Sequence, residues 1–83
     1  MLDEKNCRYI ANGQVIELTV KESYMLRILI ENKNKVVKYN QLSMELNKSE
    51  DIKGCVQTRM KRLREKLKGL LEIKTKYQIG YYI

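Results

Sequence analysis

Val56-Gln57-Thr58-Arg59-Met60-Lys61-Arg62-Leu63-Arg64-Glu65-Lys66-Leu67 is the stretch that decides how this chain folds. Wound as a helix at about 100° per residue with Val56 at the origin, it brings Met60, Leu63 and Leu67 within about 40° of Val56. Ile52 precedes them in phase. So narrow an apolar stripe is the core face of an amphipathic helix. Thr58, Arg62, Cys55 and Lys66 fall at roughly 200°, 240°, 260° and 280°, on the face turned away, with Arg59 and Lys61 flanking it. The helix is predicted from Asp51 to Lys68. Gly54 weakens its start by up to about 1 kcal/mol relative to alanine, and Gly69 suits the left-handed residue that ends it.

Charge singles out the same element. The chain of 83 residues carries a net charge of +7. Residues 51–69 hold seven Lys and Arg against two Asp and Glu, whereas residues 1–50 hold eight against seven. The excess is therefore concentrated on one helix rather than spread over the surface. Such a helix, following another across a tight turn, has what a major groove demands. Its Lys and Arg answer phosphates, and the arginine fork can take guanine O6 and N7 together.

Outward from that helix the signals are local. On the N-terminal side Arg8–Ala11 and Gln14–Leu18 flank Asn12-Gly13, the pair best suited to the positive φ angles of a type I′ turn, so a hairpin is predicted. Residues 1–7 are read as a flexible segment ahead of a domain spanning 8–83. Thr19 and Glu22 form the sequence pattern of a capping box. Met25, Leu26, Leu29 and Ile30 then recur at helical spacing, with Glu22, Arg27 and Glu31 assigned outward. Asn32 to Asn34 ends that helix, Val36-Val37 reads as a short strand, and Tyr39-Asn40 opens a second helix with Leu42, Met44 and Leu46 facing inward. On the C-terminal side Ile73–Lys76 and Ile79–Ile83 read as a second hairpin, with Tyr77-Gln78 near its tip. The predicted fold is α+β: hairpin, three helices, hairpin.

Composition narrows the function. A domain this small buries about 60 per cent of the surface its unfolded chain exposes, which leaves little room for a deep catalytic cavity. The sequence has no histidine and two cysteines, Cys7 and Cys55, far apart. No histidine is therefore present to complete a zinc site, and the common Ser-His and Cys-His nucleophile pairs are ruled out on composition. Neither an enzyme nor a cofactor or metal requirement is expected. The N-terminus has none of the features of a signal peptide and no apolar run is long enough for a membrane span, so the chain is read as cytoplasmic with reduced thiols.

Four motifs in order resemble one family, the OmpR/PhoB-type effector domain of response regulators. Val15-Ile16-Glu17-Leu18-Thr19-Val20-Lys21-Glu22 resembles its "L-T-x-x-E" opening, and Val36-Val37 with Gln41-Leu42 its "V-V-S-x-x-x-L" stretch. Val56–Leu67 is similar to its "V-x-x-x-I-x-R-L-R-x-K-L" recognition helix, and Ile73-Lys74-Thr75 with Gly80-Tyr81-Tyr82-Ile83 to its "I-x-T-v-r-g-x-G-Y-x-L" wing. The resemblance implies a winged helix-turn-helix that binds specific double-stranded DNA in transcriptional regulation. The recognition helix, about 51–68, would lie in the major groove, with the wing, 72–83, on the adjacent backbone or minor groove. It implies base contacts from Thr58, Arg59 and Arg62, and backbone contacts from Lys53, Lys61, Arg64, Lys66, Lys74, Lys76 and Tyr77. Tyr81 would anchor the wing in the core. RNA polymerase would be a second partner, and two domains would sit head-to-tail on DNA.

The chain departs from the family at defined places. The wing-tip arginine falls at Tyr77, the tip glycine at Gln78, and the tryptophan that usually closes the second helix at Asn47. The loop from there to the third helix, where family members meet RNA polymerase, is short. A phosphoacceptor receiver domain is not among these residues, so a separated effector domain and a stand-alone regulator both stay open. The alternative reading is a winged helix used for protein contacts, its basic helix merely solvated.

Overall fold

The computed structural model describes residues 1–42 and 52–83, with the backbone alone at Ile52 and Lys53. Chain order is β1 (Leu2–Asp3), β2 (Arg8–Ala11), β3 (Gln14–Glu17), α1 (Val20–Glu31), β4 (Val37–Lys38), α2 (Tyr39–Leu42), α3 (Ile52–Lys66), β5 (Lys74–Lys76) and β6 (Gly80–Tyr82). Asn12 and Gly13 turn between β2 and β3 with φ of 52° and 78°, the paired positive angles of a type I′ turn. Their strands pair from Arg8↔Glu17 to Ala11↔Gln14.

An additional strand precedes this hairpin. Leu2 pairs with Tyr9 and Asp3 with Arg8, so β1 joins the sheet in the order β1-β2-β3, where the sequence reading had a frayed leader. Its turn is organised by Asp3, whose carboxylate accepts from the Asn6 backbone and side-chain N–H groups at 3.3 and 2.9 Å. Those bonds hold the Asp3 carboxyl below its ordinary pKa. A two-residue strand carries too little alternation to be seen in a hydropathy pattern.

The capping box forms as expected. The Thr19 hydroxyl accepts from the Glu22 N–H at 3.1 Å, and Glu22 Oε1 accepts from the Thr19 N–H at 2.9 Å. Glu22, however, is buried at 4% exposure, while Ile30, expected in the core, is 39% exposed. On the wheel Glu22 falls between Met25 and Leu26, within the core stripe; Ile30 lies about 90° off the middle of that stripe, on the side where Ser23 is nevertheless buried at 5%.

One core joins all the layers. Met25, Leu26 and Leu29 of α1, Leu42 of α2 and Val56, Met60, Leu63 and Leu67 of the α3 stripe are almost fully buried together with Val37 of β4. Ile73 and Tyr81 extend this core into the C-terminal sheet, ordered β4-β6-β5. Tyr81 faces Val37 across one strand pair and Thr75 across the other. Gly80 is the close approach: a Cβ there would come within 2.8 Å of the Val37 carbonyl carbon and closer still to its oxygen. Helix α3 ends at Lys66, with Gly69 left-handed at φ 85° beyond it. Met44, Leu46, Asn47 and Asp51 lie outside the described residues.

Candidate nucleic-acid interface

With its apolar stripe sealed in the core, α3 leaves Thr58, Lys61 and Arg62 exposed. No ion pair engages Lys61 or Arg62 among the described residues. The Thr58 hydroxyl donates to the Gly54 carbonyl at 3.0 Å, which leaves its oxygen as an acceptor and its methyl as an apolar contact. Arg59 is half-buried at the edge of the face. With Arg62 it lines a recess against Thr19, Val20, Lys21 and Glu22 at the start of α1. Cys55 is exposed on the same helix, and both cysteines are free thiols.

Arg64 and Lys66, expected at the DNA backbone, have their donors turned into the domain itself. The Arg64 guanidinium donates from Nε and Nη2 to the Ile73 carbonyl and from Nη2 to the Thr75 hydroxyl at 2.8 Å. It also sits 5.4 Å from the Tyr81 ring centroid. On the other flank, Lys66 Nζ meets Glu22 Oε1 at 2.6 Å and the Glu17 carbonyl at 3.3 Å. The reason is angular. Arg64 and Lys66 lie about 80° to either side of Val56, at the edges of the core stripe, where a long side chain meets the neighbouring element before it meets solvent.

The wing extends the exposed basic surface. Lys74 and Lys76 are exposed on β5, with Lys74 Nζ 5.9 Å from the Tyr82 ring centroid. Tyr77 stands at the tip at 80% exposure. The Ile79 N–H donates to the Lys76 carbonyl at 2.9 Å, and Gln78 takes φ 58° inside that turn. This is the place where glycine is usually found. Tyr81 is buried and packs edge-on against Tyr39 with centroids 5.8 Å apart. Burial pushes its phenol above the ordinary pKa, with the neighbouring Tyr39 adding to the shift and Arg64 opposing it. The Lys53 side chain and residues 47–51, on which the resemblance puts the polymerase contact, lie outside the described residues. No helix among the described residues is long and apolar enough to cross a membrane.

Residues 13–83 match the family described as "Transcriptional regulatory protein, C terminal". The chain belongs to this family. Its domains are DNA-binding effector modules of the OmpR/PhoB type and not enzymes. The chain is similar to the response regulator protein PmrA of Pseudomonas aeruginosa, with 37% identity over 84 residues, covering 99% of this chain and 38% of that protein. It thus spans well under half the length of that relative. Among solved structures, the DNA-binding domain of Bacillus subtilis CssR aligns with a TM-score of 0.81 at 26% identity, over 99% of this chain and 96% of that one. The DNA-binding domain of CpxR from E. coli aligns with a TM-score of 0.80 at 26% identity, over 99% of this chain and 86% of that one. The three helices between antiparallel sheets are therefore a winged-helix effector domain, the α+β fold expected from the sequence.

Proposed function

We propose that this domain binds specific double-stranded DNA for a transcriptional regulator, with α3 in the major groove and the β5–β6 wing on the adjacent backbone or minor groove. The observation that carries the reading is the outer face of α3. Thr58, Lys61 and Arg62 are exposed together on a helix whose opposite face is sealed in the core. The CssR and CpxR domains that the fold resembles are described as DNA-binding domains.

Within this reading Arg62 selects the base, offering its fork to a guanine edge. Thr58 accepts from an exocyclic amine or touches a thymine methyl, because its own proton is engaged by Gly54. Arg59 contributes from the flank. Lys53, Lys61, Lys74 and Lys76 answer phosphates, and the Tyr77 hydroxyl donates to a sugar or phosphate oxygen. Arg64 and Lys66 drop out of the backbone set, being held by Ile73, Thr75, Glu22 and Glu17. Two domains sit head-to-tail on half-sites about one helical turn apart. The setting is the cytoplasm, where Cys7 and Cys55 stay reduced.

Selection of bound sequences from a random duplex pool, followed by titration of the winner, tests this. About four neutralised phosphates give a log–log salt slope near −3.5, and a slope shallower than about −2 would refute contact along the helix. Arg62→Ala should cost about 1 to 3 kcal/mol on the selected site and flatten the preference at one base pair. Unchanged specificity would remove Arg62 from the reading role. Recovery of inverted repeats alone would refute the head-to-tail arrangement.

A further inference from the structure

We propose that Arg64 is a positioning residue that clamps the wing to the recognition helix and so sets how far from the helix's base pairs the wing touches the duplex. The inference rests on the DNA-binding reading above. Arg64 belongs to α3, and every partner it has is on or just before the wing. Three donor contacts reach the Ile73 carbonyl and the Thr75 hydroxyl, nine and eleven residues along the chain. Its charged plane lies over Tyr81 of β6. Tyr81 in turn is opposite Val37 on β4 and packs against Tyr39 of α2. One side chain therefore joins α3 to both strands of the hairpin and, through the ring, to the element that precedes the turn into α3.

Strand β6 is anchored by buried Tyr81 and by its pairing with β4, and β5 is the looser half of the wing. Strand β5 is exposed at all three residues, Lys74, Thr75 and Lys76, and its pairing partner is β6 alone. Beyond the buried Ile73, β5 is held by its pairing to β6 and by the Arg64 donors on the Ile73 carbonyl and the Thr75 hydroxyl. The donor set needed is peculiar to arginine: a fork on a carbonyl, a further N–H for a hydroxyl, and a flat face for a ring. A lysine keeps the charge but offers one ammonium in place of the planar fork and no flat face for the ring. A phosphate ligand would tolerate that exchange, and a clamp would not.

The test uses Arg64→Lys, with Thr75→Val as a milder partner that removes only the hydroxyl. Without DNA, amide hydrogen exchange at Lys76 and Tyr82, which face each other's strand, should accelerate about tenfold in Arg64→Lys while Met60 and Leu63 of α3 stay within about twofold. Thr75→Val should shift the same amides in the same direction by less. Unchanged wing exchange overturns the clamp. Equal acceleration in wing and helix overturns it too, since Arg64 would then serve only overall stability. On the duplex selected from the random pool, Arg64→Lys should keep methylation protection at the helix's guanines and lose hydroxyl-radical protection on the wing side. Lys76→Ala should weaken binding of the wild type and have no effect in the Arg64→Lys background. An equal effect of Lys76→Ala in both backgrounds refutes the positioning role. A wild-type domain that protects no duplex refutes the DNA reading instead, and the exchange rates still decide the clamp.

Discussion

Lys66→Met separates a scaffold contact from a DNA contact on the same residue. Lys66 Nζ lies 2.6 Å from Glu22 Oε1, with the Glu22 side chain 5% exposed and the Lys66 side chain 37% exposed. Breaking a fully buried pair costs about 3 to 5 kcal/mol, and losing a solvated one costs about 0 to 1 kcal/mol. Here one partner is buried and the other reaches water, and Glu22 keeps its bond from the Thr19 N–H. A loss of about 2 kcal/mol follows, with methionine retaining the packing of the lysine stem. For a domain of this size that is a fall in Tm of about 8 to 16 °C. Urea and thermal unfolding followed by circular dichroism read it, with Lys68→Ala as an exposed control that should stay within about 0.5 kcal/mol. Glu22→Gln removes the buried charge and keeps an acceptor for the cap. The double variant Glu22→Gln/Lys66→Met should therefore be more stable than Lys66→Met alone. Unchanged stability in Lys66→Met with a DNA salt slope lowered by about one, the signature of a phosphate ligand, would refute the scaffold role.

Three further outcomes follow from the wing. Gly80→Ala should cost at least about 2 kcal/mol, because its Cβ would drive into the Val37 carbonyl and part β4 from β6; an unfolding midpoint equal to wild type would contradict that close approach. Gln78→Gly relieves a left-handed φ of 58° and should change stability by less than about 1 kcal/mol in the favourable direction, readable in the same urea titration; a loss would mean that the Gln78 amide bond to the Tyr77 hydroxyl holds the tip. Because burial raises the Tyr81 phenol above the ordinary value near 10, its contribution is complete below that pH and is lost as pH rises through the higher folded value. Unfolding titrations from pH 9 upward should show falling stability that Tyr81→Phe reduces, and an identical fall in both proteins would assign it elsewhere.

Much of the architecture was written in short-range signals. The Asn12-Gly13 turn, the Thr19/Glu22 capping box, the Val56–Met60–Leu63–Leu67 stripe and the glycine after α3 each depend on residues a few positions apart, so periodicity and cap chemistry suffice to read them. The outward Thr58, Lys61 and Arg62 were legible for the same reason: they oppose that stripe. The sequence alone thus determined the order of elements from β2 onward among the described residues and which face of α3 looks away from the core. Tertiary structure decided the fate of residues at the stripe's edges. Arg64 turns to acceptors nine and eleven residues ahead, and Lys66 to a carboxylate 44 residues behind. Glu22, turned inward by its angle on α1, finds its counter-charge in that lysine, and β1 forms on the second edge that Arg8 and Tyr9 offer. A long cation at about 80° from a core face can reach solvent or its own chain, and its angle on the helix is the same in both cases. Only the position of the neighbouring elements decides which acceptor it finds first.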